Sequence, residues 1–547
     1  MNDEQKIRKF ETEVLDATYK NFKFYKYSQE IVIPYLLQVY GDTERHRDNL
    51  AANGYDPTAV SWFLNNMIHG LGHCIRWITQ KDEPFSKDIS ISSESFTEIH
   101  EMAADFIHWG ISYHMIAQEF VTWSRGIKTA IINEDKKTIR FLNPQDYNYS
   151  CIYDKQLLYD AQMQAVYSSY PHEIMEKEFS KWIKTIDLSK PPIANHIDWG
   201  KAKHSDSYPL LYIKISEILF PELDNTTDFE GYNLLQLRQF FTLFFLNFYF
   251  IRWIEASLDS TDKASLSFGS NPLDLSCAEF EKLGSIITGL SSEIVRNIIL
   301  DLTFNPKSFH TSVGIQPFIR SSSGIYYILP NLFSQIEPSR MLLGAINKGS
   351  KKKLYDKLIN QIEKYNINDL FLSVKDNSNW ISHLEKVIKS EGKQIHPDLI
   401  LIDPVNKSLC VIDYKHFIGP ITSSEVDYKI TELKKGILQI QKYIDLLKKV
   451  VKIGSDNIMD FAINGLLITH KPMPIPVPKG INILITDKET FKTKVKLINP
   501  KNNGIDQLLA SIKADENPKN ISTPFEDEIS VNNWKIIRNQ HKITQKK

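Results

Sequence analysis

Cysteine is scarce: Cys74, Cys151, Cys277 and Cys410 are the four thiols in 547 residues. They stand isolated, with neither disulfide-type nor metal-type spacing, which excludes a disulfide scaffold and a cysteine-held metal and makes a reducing cytoplasm the expected home. Charge of one sign is lacking too. Lys and Arg number 65 against 66 Asp and Glu, a formal net charge of -1, so affinity for an acidic partner must come from local patches rather than a globally basic surface. The opening segment, MNDEQKIRKFETEVLD, is charged and amphipathic and has no apolar signal region. The apolar run from Phe240 to Ile251 is too short for a membrane span, is bounded by Arg238 and Arg252, and contains Thr242 and Asn247. A buried helix, and no membrane partner, is therefore expected. No internal repeat or low-complexity tract stands out in the first three hundred residues, and no helix-turn-helix or zinc finger is evident in the chain. HExxH is not met either, since Ala104 stands where His100-Glu101 would need a second histidine.

What is present divides by pattern. The length calls for two or more domains. Val60 to Thr79, Ser95 to Trp123 and Leu234 to Leu258 carry long apolar runs at helical period, with a β-hairpin expected over Lys128 to Phe141 around the turn Asn133-Glu134-Asp135-Lys136-Lys137. His69 and His73 lie one turn apart in HGLGH, near a second stripe of His100, Glu101, Asp105 and His108. A metal site joining two helices is conceivable there. Gly70, Gly72 and the neighbouring Trp62, Phe63, Trp77 and Trp109 favour a packed core instead.

Chemistry concentrates in HPDLILIDPVNKSLCVIDYKH, His396 to His416. Leu399 to Ile402 and Leu409 to Ile412 are short apolar runs separated by turn formers, Asp403 to Ser408, and read as a buried hairpin. Antiparallel pairing brings Asp398 beside Asp413, although the two are fifteen positions apart. Asp413 and Lys415 share one strand face while Tyr414 points to the other. Two carboxylates and an ammonium at one end of a hairpin suit Mg²⁺ (or Mn²⁺), with the Tyr414 carbonyl as a further ligand. Such a cation acidifies water and neutralises charge growing on a phosphodiester, and Lys415 is placed to orient the water or stabilise the pentacoordinate phosphorus.

These residues resemble the PD-(D/E)xK nuclease superfamily: Pro397-Asp398 matches PD and Asp413-Tyr414-Lys415 matches (D/E)xK. Gln439-Ile440-Gln441-Lys442-Tyr443 further resembles the Q-h-x-x-Y signature of the RecB-like branch. The residues around it read as a helix, with Thr422 and Glu425 forming a capping box and Ile430, Leu433, Ile437, Ile440, Ile444 and Leu447 at helical spacing. Gln439 and Tyr443 then lie one turn apart, near Lys435. The resemblance implies that both contact phosphate or brace the lysine, and that products carry 5′-phosphate and 3′-hydroxyl ends. It also implies an acid on a preceding helix. Asp356, in the aromatic-acid pair Tyr355-Asp356, is the candidate, with Glu363 two turns on and Glu385 on a further helical segment as alternatives. Ile463 to Thr469 and Ile481 to Thr486, flanking Pro472, Pro474, Pro476 and Pro478, supply the later strands. Pro317 to Ile319 and Ile325 to Leu329 read as a preceding hairpin, and Leu332 to Lys348 as a helix leading into the core.

The expected architecture is a multidomain mix of α+β and α/β. A mainly helical sensing or assembly region occupies residues 1–309, a restriction-endonuclease-like nuclease domain with a mixed central sheet 310–500, and a polar extension 501–547, disordered or arm-like and ending in Lys542, Lys546 and Lys547. The expected activity is Mg²⁺-dependent cleavage of DNA, endonuclease favoured over exonuclease, by analogy with restriction or antiviral defence effectors. A protein partner or homo-oligomerisation fits the same analogy. Lys348, Lys351, Lys352, Lys353 and Lys357, then Lys434, Lys435, Lys442, Lys448 and Lys449, are the candidate phosphate-binding patches. Two alternatives stand beside this reading: a nuclease fold that binds nucleic acid or a partner without cutting, and a metal hydrolase using His69, His73 and Glu101.

Overall fold

The computed structural model describes residues 1–45, 57–80, 96–143, 147–148, 171–185, 197–259, 272–308, 312–334, 337–347, 351–375, 380–417, 423–473, 477–480, 482–498, 504–515 and 520–545. Cys151, Lys348, Thr422, Pro474, Pro476, Lys546 and Lys547 lie outside them, as do the side chains of Trp62, Glu425 and Lys542. The architecture is mixed, helical and α/β. The chain forms two compact units, one of Met1–Ala117 with Val166–Asp356 and one of Gln118–Ala165 with Lys357–Lys547. The break thus falls at 356/357 and not near 309, and a segment from the first third of the chain belongs to the second unit. Backbone pairing is the cause. Strand Thr138–Leu142 pairs in parallel with Trp534–Gln545, while hairpin Phe318–Arg320 and Ile325–Ile328 takes Leu273–Ser276 as its third strand and stays in the first unit.

The first unit is mainly helical, with Pro57–Thr79, most of Phe96–Ser124, and Leu234–Asp259 at the expected places. Gly70 and Gly110 let two helices touch: a Cβ on Gly70 would stand 2.6 Å from the Ile111 nitrogen, and one on Gly110 2.7 Å from Cys74 Sγ. Gly72 meets only ordinary contacts, Val313 at 3.7 Å. Leu234–Ile254 is longer than its apolar run suggests and is long and apolar enough to cross a membrane, yet 78% of that stretch is buried inside the unit. Phe240, Phe241, Phe244 and Phe245 are among its fully buried residues, on successive turns. The helix expected over 332–348 is broken into Pro330–Ser334 and Pro338–Ile346, because Pro338 has no N–H to donate and instead opens a new first turn.

The histidines of this unit pack rather than gather ligands. His69 stacks on His114 at 4.5 Å between ring centroids, and His73 Nε2 lies 3.3 Å from His114 Nδ1. Burial, then the neighbouring His73 and Arg340, pushes His69 down to about 3, so the ring stays neutral at physiological pH. Glu101 is exposed, and His100 pairs with Asp42 at 3.1 Å. The arrangement needed for the hydrolase alternative is not assembled.

In the second unit a five-stranded mixed sheet runs in the order Leu484–Asp487, Ala462–Thr469, Ser408–Lys415, Leu399–Asp403, Ile381–Leu384. The first three strands are mutually parallel and the last two pairings antiparallel. Both faces are covered, which is why the strands read as continuous apolar runs rather than alternating ones. Ile400, Ile402, Leu409, Val411, Leu467 and Ile485 pack against Ile430, Leu433, Ile437, Ile440 and Ile444 of helix Ser423–Leu447. On the opposite face Leu399, Leu401, Cys410, Ile412 and Tyr414 meet Ile367, Leu370 and Val374 of helix Lys352–Lys375, with Phe491 and Leu508. Each such fully buried side chain contributes roughly 1.5–3 kcal/mol.

The expected tail beyond 501 is ordered where described. Ile505–Asp515 is a helix whose Leu508 and Ile512 are buried under the sheet, and Asn520–Val531 with Trp534–Gln545 form a long antiparallel hairpin. Its backbone donors and acceptors find partners across the hairpin and on strand Thr138–Leu142, so a polar composition is compatible with order. Glu385 is not helical. It sits just after strand Ile381–Leu384 at φ 45°, because Trp380, Ile381, Leu384 and Ile388 imitate a helical period while the backbone pairs with Leu399–Asp403.

Candidate active site

The hairpin register sets the geometry. Leu399 pairs with Ile412, so Asp398 stands opposite Asp413 at the open end of the two strands. Asp398 Oδ2 accepts the Tyr414 N–H at 2.7 Å, and its carbonyl accepts the Glu385 N–H at 2.9 Å. Side-chain alternation puts Asp413 on the face of helix Ser423–Leu447 and Tyr414 on the other, where it joins the opposite core. Lys415 Nζ lies 2.8 Å from Asp413 Oδ2.

Helix Ser423–Leu447 can come close because Gly465 underlies it. A Cβ there would sit 2.5 Å from Ile440 Cγ2. This proximity brings the Gln439 amide to Asp413 Oδ1 at 3.4 Å, and the same amide donates to the Tyr443 hydroxyl. Tyr443 in turn donates to the His396 carbonyl at 3.2 Å. The structure therefore brings together Asp398, Asp413, Lys415, Gln439 and Tyr443.

It does not bring Asp356 there. That residue belongs to the other unit and is exposed, paired with Lys352 one turn earlier at 2.8 Å. Glu363, two turns further along the helix, is the acid that approaches the strand end: its Oε1 accepts the His416 N–H at 3.2 Å. Sequence alone cannot choose between them, because both lie on a charged helix and the choice depends on where that helix crosses the sheet. His470 gives no signal in the sequence either. The parallel pairing of Lys415 with Thr469 delivers it, and its Nδ1 stands 2.9 Å from the Tyr414 hydroxyl.

No family model, curated protein or solved structure matches this chain.

The electrostatics are those of crowded acids around one cation. Burial and the Asp413 charge push Asp398 up to about 7, against the opposing pull of the Tyr414 N–H and Lys415. Burial likewise raises Glu363. For Lys415, burial would lower the pKa, but Asp413, Asp398 and Glu363 outweigh it and the net shift is upward. The ammonium is therefore held charged. Burial also raises the Tyr443 phenol, which stays protonated and donating.

Among the described residues, no three His, Cys, Asp or Glu side chains form a metal cage by themselves. Mg²⁺ does not need one, since it is typically held by one or two carboxylates with water and phosphate oxygens filling the octahedron. The donor set fits that habit. Asp413 is 1% exposed, and its Oδ2 makes no directed hydrogen bond despite the nearby ammonium. The carboxyl opposite it ionises only at the cost of repulsion that a divalent cation would relieve. Asp398, Asp413 and the Tyr414 carbonyl are the residues that would hold such an ion.

Proposed function

We propose that this chain hydrolyses DNA phosphodiester bonds in a Mg²⁺- or Mn²⁺-dependent reaction at the open end of the central hairpin. The observation that carries the reading is the convergence of Asp398, Asp413 and Lys415 on one sheet end, with Gln439 reaching the same carboxylate. A binding protein has no use for two buried acids facing each other; a phosphodiesterase does.

A divalent cation bound by the two acids supplies charge neutralisation and a more acidic water. The side chains do the rest. Lys415, partly open to solvent, presents a fixed positive charge to a phosphate oxygen or to the attacking water. Gln439 holds the Asp413 carboxylate in one rotamer, and Tyr443 ties the Gln439 helix to the backbone just before Asp398. Glu363 pins the strand end through His416.

Incubation of the protein with closed circular and linear DNA in Mg²⁺, Mn²⁺ or EDTA tests this. Metal-dependent nicking or linearisation of the circle is the expected result. Loss of linear DNA alone would redirect the reading to an exonuclease, and intact DNA under every condition would remove hydrolysis.

The revised upstream acid has its own test. Glu363→Ala should lower the cleavage rate roughly 10- to 100-fold, the usual cost of an outer-shell partner. Asp356→Ala, which removes a solvated ion pair, should leave it within about twofold. Equal effects of the two changes would return Asp356 to the site.

A further inference from the structure

The strand that begins at the active site, Leu399–Asp403, has a second hairpin just before it. Ile388–Ser390 and Lys393–Ile395 pair antiparallel, with Ile388 opposite Ile395, Lys389 opposite Gln394 and Ser390 opposite Lys393. The two-residue turn is Glu391-Gly392, at φ 50° and 74°, the left-handed pair that a tight hairpin turn requires. Ile388 and Ile395 are buried in the core beneath helix Ser423–Leu447. Alternation then fixes Lys389 and Gln394 on the outward face, and both are exposed.

His396 follows this hairpin on the segment that leads to Asp398. Gln394 Nε2 lies 3.0 Å from His396 Nε2, and His396 is exposed while its own carbonyl is anchored by Tyr443. With the amide donating, the imidazole proton resides on Nδ1, which is left as a donor. Asp398 follows two residues on, past Pro397, where the strand alternation resets: Ile395 and Ile400 both pack beneath helix Ser423–Leu447. Lys389, Gln394 and His396 therefore form one exposed polar patch, tied at His396 to Tyr443 of the acid site. Lys389 has no hydrogen bond or ion pair among the described residues. The acid at the turn, Glu391, is matched by Lys449 at 2.8 Å, which leaves the hairpin with the exposed positive charges of Lys389 and Lys393, with Lys386 just before it.

By contrast, two lysines of the first patch are engaged elsewhere. Lys351 pairs with Asp301 at 2.6 Å and Lys352 with Asp356.

We propose that Lys389, Gln394 and His396 form a rail that holds the phosphates of a nucleic acid strand on the Asp398 side of the bond to be cut. The proposal rests on the nuclease reading of the adjoining site and adds to it which surface carries the strand. Lys389 stands across the hairpin from Gln394, His396 follows Gln394 two residues on, about 6.6–6.8 Å along an extended backbone, and none of the three carries negative charge. Such a patch suits successive phosphates and reads no bases, so it should bind strands of any sequence alike.

The test separates the rail from the chemistry. Binding of a labelled single strand of DNA is followed by fluorescence anisotropy in EDTA, at salt from roughly 50 to 200 mM, for the full-length wild type, Lys389→Gln with His396→Gln, and Lys496→Gln. Lys496 is exposed in the same unit on helix Lys488–Leu497, whose Phe491 packs on the opposite face of the sheet. The double variant should bind about tenfold more weakly whatever the sequence, with a log–log salt slope shallower by roughly 0.7 for the one lost cation. Its thermal unfolding should be unchanged, and Lys496→Gln should match the wild type. Wild-type affinity and slope in the double variant would overturn the rail even if the protein cuts DNA. Binding that depends on the rail in a protein that never cuts would uphold it and remove the hydrolysis. A wild type that binds no strand would overturn both.

Discussion

Asp398→Asn should make the metal-free protein more stable and at the same time inactive. The wild-type carboxyl is raised to about 7 by burial and by the Asp413 charge, against about 3.9 in an unfolded chain. The native state thus keeps a proton that the unfolded state has already lost. The stability this confers is complete below about pH 4 and drains away as pH rises through 7, on the order of 2–4 kcal/mol if the full shift is expressed. Asparagine imitates the protonated form: its oxygen can still accept the Tyr414 N–H, and its amide can donate to Asp413. In EDTA the melting temperature of the variant should exceed that of wild type by several degrees at pH 8 and by little near pH 4, and the advantage should level off above pH 7. Added Mg²⁺ or Mn²⁺ should reverse the order, raising the wild type by mass action and leaving the variant unmoved. An equal or lower melting temperature for the variant in EDTA at pH 8 would mean that the two acids are not in conflict.

Lys415→Ala should reduce cleavage by a factor of roughly 10² to 10³, the range seen when a fixed donor to developing negative charge is removed. Its ammonium is the only side-chain cation in contact with Asp413 among the described residues, and Asp398 and Glu363 also hold it charged. Strand binding in EDTA should survive within a fewfold, because one phosphate contact of several is lost. That split between binding and turnover sets a chemical role apart from a structural one. Removal of the cation also leaves three acids facing one another, so the variant should gain more from added Mg²⁺ in thermal stability than wild type does. A Lys415→Ala protein that cuts at the wild-type rate would place the chemistry elsewhere.

The central hairpin was legible because its information is local. Turn residues between two apolar runs fix a register, and the register alone places Asp398 against Asp413. Helix Ser423–Leu447 was legible for the same reason, six apolar residues at one period. The long helices of the first unit followed their patterns to within a few residues. What failed depended on distant pairing. Strand Ile381–Leu384 carries a helical spacing, and only the adjacent strand Leu399–Asp403 holds it extended. Glu363 and Asp356 differ in where one helix crosses the sheet. The unit boundary, and the order of the segment after 501, depend on strands from opposite ends of the sequence finding each other.

That last pairing has a consequence during synthesis. Strand Thr138–Leu142 emerges from the ribosome long before Lys535, its first partner on the returning strand. At roughly 5–20 residues per second, the intervening stretch of about 400 takes on the order of 20–80 s to make. Throughout that interval one edge of the small hairpin is open to its surroundings, and open edges seek other chains. The charge of Arg140 on that edge, which in the finished protein meets Glu526, is well suited to discourage strangers while the strand waits. A polypeptide released early would keep its edge exposed indefinitely, so aggregation of nascent fragments, more than loss of the acids themselves, is how late truncations should fail.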